Sequence, residues 1–307
     1  MTTVDVTIMI PTFRRPEGLA AVLESLRRQT GVEGLSIETL VVDNAPEGGA
    51  DRVVGPLGKG FPFALRCLHE PNPGVANARN RGWAAARGQF VAFIDDDETA
   101  EPNWLAELLA AQKDLNAAVV FGPVNAVLPS NKGDHTPYFD RFFSRRGPAT
   151  TQAIDTFYGC GNSLLVRERM GDRPFDDFGN EHGGEDDLLF TRLTEEGAVF
   201  GWAANAIVYE HVPENRATLR YALHRSFGHG QGPPTILSQQ SRPDRLGIAK
   251  WMAVGVAQTA AFGSVALLKT LTRAPDRAIW FDKTAQGLGK VLWFPPFATK
   301  FYGAAIA

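Results

Sequence analysis

Several features that assign a chain quickly are missing from this one. Only two cysteines, Cys67 and Cys160, occur in 307 residues. They are far apart and outside metal-ligand spacing, so neither a disulfide framework nor a zinc site is indicated, and a reducing compartment fits. Low-complexity tracts and short internal repeats are absent, which speaks against disordered and repeat architectures. No G-x-G-x-x-G follows the first apolar run; Pro11-Thr12-Phe13-Arg14 stands there instead, which removes the fingerprint of a dinucleotide-binding oxidoreductase. The N-terminus has no basic stretch before its apolar segment, and that segment has strand length, so no secretion signal is read and the catalytic portion is expected in the cytoplasm. The glycine- and lysine-rich loop of a nucleotidyltransferase is also missing near the first strand.

What is present is ordinary globular material, 44% hydrophobic and 21% charged. The length suits one large α/β domain with an appendage, or two small domains. The first half alternates strand-like and helix-like segments at βαβ spacing. Val4 to Ile10 is a β-branched run expected to end at Pro11, and Pro16 opens a helical pattern through Leu19, Val22, Leu23 and Leu26. Ile37 to Val42 ends at Asp43. Phe63 to Leu68 precedes a small-residue helix through Ala76, Ala78, Trp83 and Ala86. Phe90 to Ile94 runs into Asp95-Asp96-Asp97, after which Glu101-Pro102 is expected to open another helix. Beyond Val127 a polar, flexible stretch is expected over 129–153, then a strand at Ser163 to Val166 and a helix from about Glu185.

In an open parallel sheet, ligands bind outside the carboxyl ends of the strands. Three polar clusters fall there: Thr12-Phe13-Arg14, Asp43-Asn44-Ala45 and Asp95-Asp96-Asp97. Three adjacent aspartates repel unless protons or a cation compensate. Two readings stand side by side, a Mg²⁺ or Mn²⁺ site built from hard oxygen ligands, and a helix-capping aspartate with solvated neighbours. Glu185-Asp186-Asp187 likewise reads as an acidic first helical turn or as a catalytic carboxylate group.

Pro11-Thr12-Phe13-Arg14, Val41-Val42-Asp43-Asn44, Ala78-Arg79-Asn80-Arg81-Gly82, Phe93-Ile94-Asp95-Asp96-Asp97, Gly184-Glu185-Asp186-Asp187-Leu188 and the later His211 and Arg216 together resemble glycosyltransferase family 2 over residues 4–230. The resemblance implies a GT-A fold, a mixed, mostly parallel sheet flanked by helices. It also implies a nucleotide-sugar donor, usually UDP-linked, a divalent metal, and inversion at the anomeric carbon. On that basis Pro11, Thr12, Arg14, Asp43 and Asn44 are expected to hold the nucleoside, with Asp43 accepting from the base and Arg79 nearby. Asp95 or Asp96 is expected by the ribose, Asp97 and His211 at the metal, and Asp186 as general base, its proton affinity raised by Glu185 and Asp187. Gly159-Cys160-Gly161-Asn162-Ser163 resembles the segment under the donor sugar, with Asn162 as a donor-binding group; the other reading is a plain turn. Arg216 and Arg220 are placed on one helical face, with Arg225 about one turn further round, able to clamp a diphosphate of UDP or of a lipid-linked acceptor, and Glu185 is expected with Arg216 and Arg220 on the acceptor side. The processive members' Gln-x-x-Arg-Trp signature is absent, which points to single-sugar transfer. A non-catalytic binding module of the same fold is the remaining alternative.

The net charge of −3 conceals an asymmetry: residues 241–307 carry nine basic and three acidic side chains, +6, leaving −9 for the rest. The uncharged stretch Trp251 to Leu268 is at the lower length limit for a membrane span, and Trp293, Phe294, Phe297, Phe301 and Tyr302 suit a headgroup region. The expected organisation is a catalytic domain over 1–235, divided into a nucleotide-binding half (1–127) and an acceptor-binding half (128–235), followed by a helical basic and aromatic tail (236–307). The tail is expected to attach peripherally to the anionic cytoplasmic face of the inner membrane, nucleic acid being no partner. A homodimer interface is the other use open to it. A membrane site suits a glycan or polyprenyl-diphosphate-linked acceptor.

Overall fold

The computed structural model describes residues 4–129, 132–177, 180, 183–239 and 242–301. Val6 to Ile10 carries no charge and has no polar alternation, as expected of a strand buried on both faces. It forms the middle of β1 (Val4–Thr12), where every residue from Val6 to Ile10 is fully buried. β2 (Ile37–Asp43), β3 (Ala64–His69) and β4 (Gly88–Phe93) run parallel with it. They belong to an eight-stranded sheet of order β3-β2-β1-β4-β9-β6-β10-β8, where β6 is Val119–Phe121, β8 Gln152–Ile154, β9 Ser163–Val166 and β10 Phe200–Trp202. β9 lies antiparallel between β4 and β6, with Ser163 opposite both Phe93 and Phe121. β5 (Glu98–Ala100), β11 (Val208–His211) and β7 (Val124–Val127) form a second, three-stranded sheet.

Helices cover both faces of the large sheet. On one side Leu19, Val22 and Leu23 of α1 (Pro16–Leu26) and Trp104, Leu105 and Leu108 of α4 (Trp104–Leu115) pack on Ile8, Val41 and Ala92. α2 (Asp51–Gly58) adds Val54 to that layer. On the other side Trp83 of α3 (Val75–Ala85) and Leu189, Phe190 and Leu193 of α6 (Glu185–Glu195) join Met9, Phe93, Phe121 and Trp202. The expected α/β architecture is therefore present.

The chain divides into two compact units. One holds the described residues of 4–125, 144–211 and 300–301; the other holds those of 126–143 and 212–299. The division falls at 212 rather than 236, and the second unit takes in an earlier segment. That segment contains α5 (Thr136–Phe143), inside the stretch expected to be polar and flexible. Tyr138, Phe139, Phe142 and Phe143 supply the apolar face that the surrounding polar residues conceal, and they pack with Ala222 and Ala278. α7 (Leu219–Gln239), α8 (Arg245–Leu271) and α9 (Arg277–Val291) complete this unit, with α9 packed on both others. α8 is long and apolar enough to cross a membrane by length and composition. Its most apolar 18-residue window has a mean hydropathy of 1.5 and only 11% of it is buried.

Two boundaries also moved. β1 runs past Pro11, because its pairing with β4 has ended at Met9 and the missing N–H removes no bond on that side. The helix expected to open at Glu101-Pro102 starts at Trp104, because Glu98–Ala100 is drawn into the small sheet by pairing with β11.

Candidate active site

β2, β1 and β4 are adjacent, so Asp43, Thr12 and the aspartates following Phe93 meet at one sheet edge. Asp96 is the best-anchored of these. Its Oδ2 accepts from the Thr12 hydroxyl at 2.8 Å and the Phe13 amide at 3.3 Å, and its Oδ1 from Arg15 Nη1 at 2.7 Å. The same Arg15 nitrogen donates to Asp97 Oδ2, also at 2.7 Å. Burial pushes the Asp96 carboxyl up, with Arg15 and Thr12 opposing it. Burial disfavours the charge of Arg15, but Asp96 and Asp97 outweigh that and make its proton harder to lose.

Asp43 is buried and organises the loop after β2. Its Oδ1 accepts from the Ala45 amide at 3.1 Å and its Oδ2 from the Ala50 amide at 2.8 Å. A carboxylate has about four acceptor sites, so capacity for a base N–H remains. Asn44 is fully engaged: its amide donates to the carbonyls of Glu70 (3.0 Å) and Asn72 (2.7 Å) and accepts from the Gly74 amide (2.8 Å). It staples β2 to the 70–74 loop. Arg14 is exposed, pairs with Glu47 at 2.6 Å and lies 5.1 Å over the Phe13 ring. Pro11 stands opposite Val42 in the parallel ladder, one pair before its end at Thr12 and Asp43.

Asp95 faces a second group of acids. Its amide donates to Glu98 Oε2 at 2.9 Å, and a Cβ added to Gly161 would collide with its carboxylate. Burial raises the proton affinity of Asp95, which Arg79 opposes and Asp97 reinforces. Glu98 is pushed well above the usual carboxylate range by burial and Asp95, and Glu210 up to about 8 by burial, Asp97 and Asp95. His211 is tied to Asp97 through the backbone, its amide donating to the Asp97 carbonyl at 2.8 Å, while its Nε2 lies 2.9 Å from the Thr99 hydroxyl. Among the described residues no three His, Cys, Asp or Glu groups form a ready metal cage. The donor set nevertheless fits a divalent ion of the kind that takes one or two protein carboxylates and completes its shell with phosphate and water. Clustered buried acids with raised proton affinity are what such an ion neutralises.

The third group centres on α6. Gly184 precedes it at φ +85°, a left-handed turn glycine adopts without strain, and Glu185, Asp186 and Asp187 form the first turn. Glu185 is buried in an ion pair with the buried Arg79, whose Nη1 is also 3.6 Å from Asp186 Oδ2. Asp186 accepts from the Cys160 amide at 2.9 Å through Oδ2 and from the Asp187 amide at 3.0 Å through Oδ1. Burial raises the proton affinity of Glu185, opposed by Arg79 and reinforced by Asp186; burial also pushes Asp187 up to about 6. Arg145 is the fixture for the segment between Asp186 and Asp95. Its guanidinium donates to the carbonyls of Gly159 (2.9 Å), Gly161 (2.6 Å) and Asn162 (3.2 Å).

Asn162 itself requires a correction. It is fully buried, accepts from Trp104 Nε1 at 2.7 Å, and donates to the carbonyls of Pro123 (2.8 Å) and Ala206 (2.9 Å). Its amide is spent on the scaffold and offers nothing to a sugar. Arg216 is corrected as well: it lies in the turn before α7, its amide bonded to the Pro213 carbonyl and its guanidinium 5.9 Å over the Tyr221 ring. It therefore shares no helical face with Arg220, which stands in the first turn of α7; both belong to the second unit.

Sequence reasoning missed Arg15, Glu98, Glu210 and Arg145. Arg15 adjoins a motif already singled out and Glu98 adjoins the aspartates, so local charge balance was an available signal for both. Glu210 and Arg145 reach the site only through tertiary pairing, in the first case 112 residues after Glu98 by way of the β5–β11 ladder.

Residues 7–170 match the family model described as Glycosyl transferase family 2. The succinoglycan biosynthesis protein ExoM of Rhizobium meliloti is 34% identical over 244 residues, 78% of this chain and 77% of that protein. The pre-mycofactocin glycosyltransferase of Mycobacterium tuberculosis is 30% identical over 256 residues, 80% of this chain and 50% of the relative. Among solved structures, the mannosyltransferase PcManGT of Pyrobaculum calidifontis, in complex with GDP-Man and Mn²⁺, superposes with a TM-score of 0.61 over 95% of this chain and 88% of its own, at 18% identity. The fold is that of the GT-A transferases.

Proposed function

The chain belongs to glycosyltransferase family 2, and from that premise we propose that it moves one sugar, with inversion, from a nucleotide-diphosphate donor to a hydroxyl of a glycan or polyprenyl-diphosphate-linked glycan. The observation that carries the reading is Asp186, held at the first turn of α6 by the Cys160 and Asp187 amides. It is joined through the 159–162 segment to the Asp95 carboxylate. The setting is assembly of a cell-surface polysaccharide, supported by the Rhizobium relative named for succinoglycan biosynthesis. The donor is UDP-linked in this reading; the mannosyltransferase neighbour, solved with GDP-Man, makes a GDP-linked donor the second one.

In the transfer, the acceptor oxygen bonds to the anomeric carbon from the face opposite the diphosphate as the bond to the leaving phosphate oxygen breaks. Asp186 takes the hydroxyl proton. Arg79 and Glu185 orient Asp186 by fixing the first turn of α6, and Arg145 fixes the backbone that donates to it. Thr12 and Asp96 shape the floor under the nucleotide, while Asp43 takes the base N–H. Asp97 and His211 are the residues that would hold a divalent ion, Mg²⁺ or Mn²⁺, which supplies positive charge to the leaving diphosphate.

The second unit is proposed to bind the cytoplasmic face of an anionic membrane through α8. Leu246, Val256, Leu267, Leu268 and Leu271 are exposed there and Lys250, Lys269 and Arg273 flank them. Flotation with phosphatidylglycerol vesicles tests this, and a protein that stays in the soluble fraction overturns it. For the chemistry, UDP- and GDP-sugars are titrated with Mg²⁺, Mn²⁺ or EDTA into wild type, Asp97→Ala and Asp186→Asn. Metal-dependent binding is expected to vanish in Asp97→Ala, whereas Asp186→Asn is expected to lose turnover and keep binding. Binding of no nucleotide sugar with any metal refutes the reading.

A further inference from the structure

Arg14 and Arg15 are neighbours in the loop after β1, yet they serve different partners. Arg14 pairs outward with Glu47. Arg15 turns inward, and one nitrogen bridges two carboxylates, 2.7 Å from Asp96 Oδ1 and 2.7 Å from Asp97 Oδ2. The two ends of that bridge differ. Asp96 is buried and also held by Thr12 and Phe13, so it stays in place whatever Arg15 does. The Asp97 side chain is 17% exposed and that of Arg15 35%, so both have room to move apart.

We propose that Arg15 is the resident counter-ion of the aspartate triplet and competes with a divalent cation for Asp97, so that the cation enters together with the nucleotide diphosphate rather than ahead of it. The inference rests on Asp97 being a metal ligand. A guanidinium is permanently charged, so it holds the carboxylate at every working pH. A lone pair directed at its N–H is not offered to a metal, and two cations on one carboxylate repel each other. The diphosphate reverses the balance by bringing negative charge and oxygen ligands to the second cation. Arg15 then gives up Asp97 and keeps Asp96. In this way acids that would otherwise face one another uncompensated are held together before substrate arrives, and cation affinity is low until the donor is present.

The test is Mn²⁺ titration followed by the electron paramagnetic resonance signal of free Mn²⁺, with and without UDP or GDP. It uses the full chain as wild type, Arg15→Gln, Asp97→Ala, and Arg28→Gln as an exposed control for loss of charge. Arg15→Gln is expected to bind Mn²⁺ without nucleotide about tenfold more tightly than wild type, the worth of one partly exposed charged hydrogen bond. Arg28→Gln should match wild type. Asp97-dependent binding of equal strength in wild type and Arg15→Gln overturns the inference and leaves the metal reading intact. Absence of Mn²⁺ binding in both, even with nucleotide, removes the metal reading and the inference with it. Thermal melting shows whether Arg15→Gln is folded. Should it not be, the side-chain Nε–H resonance of Arg15 in wild type decides: it should move when Mg²⁺ and UDP are added together and hold with Mg²⁺ alone. A resonance that ignores both overturns the proposal.

Discussion

Replacing Arg79 by methionine removes one half of an ion pair whose side chains are only 8% and 3% exposed, together with the guanidinium that lies 5.6 Å over the Phe175 ring, and keeps most of the apolar stem. What is left is a Glu185 carboxylate without its counter-charge, at the start of a helix that carries Asp186. Breaking a buried pair from one side costs about 3–5 kcal/mol, because the stranded charge must be desolvated or protonated. That is a large share of the roughly 5–15 kcal/mol available to a domain. Arg79→Met is therefore expected to lower the urea midpoint strongly with little change in slope. The double variant Arg79→Met/Glu185→Leu should recover about 2 kcal/mol of the summed single-site losses, since no charge is then buried alone. The deficit should also depend on pH. Burial already raises the proton affinity of Glu185, and without Arg79 it rises further. The folded state of Arg79→Met then binds a proton the unfolded chain does not, so its stability falls as pH rises from the unfolded toward the folded value. The cost relative to wild type is smaller in mild acid than in mild base. Additive single-site losses, or a deficit independent of pH, would refute the assignment of a charged buried pair.

Asp186→Asn should lower kcat by about 10²–10⁴ with donor affinity unchanged, as expected for loss of a general base; single-turnover kinetics and calorimetry with the donor separate the two quantities. Asn162→Leu strands the Trp104 N–H and two carbonyls, a loss of about 3 kcal/mol or more read from urea unfolding; full stability with weakened donor binding would restore it to the sugar site. His229 lies on the exposed side of α7, and its imidazole is pushed down to about 4 by desolvation and Arg225. The unfolded chain takes that proton near 6.5 and the folded one does not, so wild-type stability should drop as pH falls from 6.5 to 4, by less than the shift alone implies because the residue is exposed to solvent. His229→Gln should flatten that slope, measured by denaturant midpoints across the interval.

The strands that carry the site were legible because each is a short, mostly apolar run ended by polar residues: Val6 to Ile10 before Thr12, and Ile37 to Val42, with Glu38 its one charge, before Asp43. The same local logic found the acidic turn at Glu185. It failed where pairing at a distance decides conformation. β6, β8 and β10 have three residues each, too few to show a period, and their strand character comes only from their neighbours in the sheet. α5 was hidden because its aromatics sit among polar residues and find their partners in Ala222 and Ala278, far along the chain. Asn162 was misassigned because a fully bonded scaffold amide and a ligand-binding one look alike in sequence. Arg216 was misplaced because helical spacing was extended back from Leu219 into the turn that follows Pro213.

β9 has a consequence for the order in which the molecule is made. During synthesis β1 to β4 can assemble on one another as they emerge, but the outer side of β4 stays bare until residue 166 has left the ribosome, since β9 alone joins it to β6. A nascent chain at that stage presents an apolar strand edge, the kind of surface that invites pairing between molecules. The insertion of four residues, Ser163–Val166, turns two partial sheets into one and brings the 159–162 segment to the aspartates in the same step. Protein truncated before β9 is therefore expected to aggregate rather than to survive as a nucleotide-binding fragment.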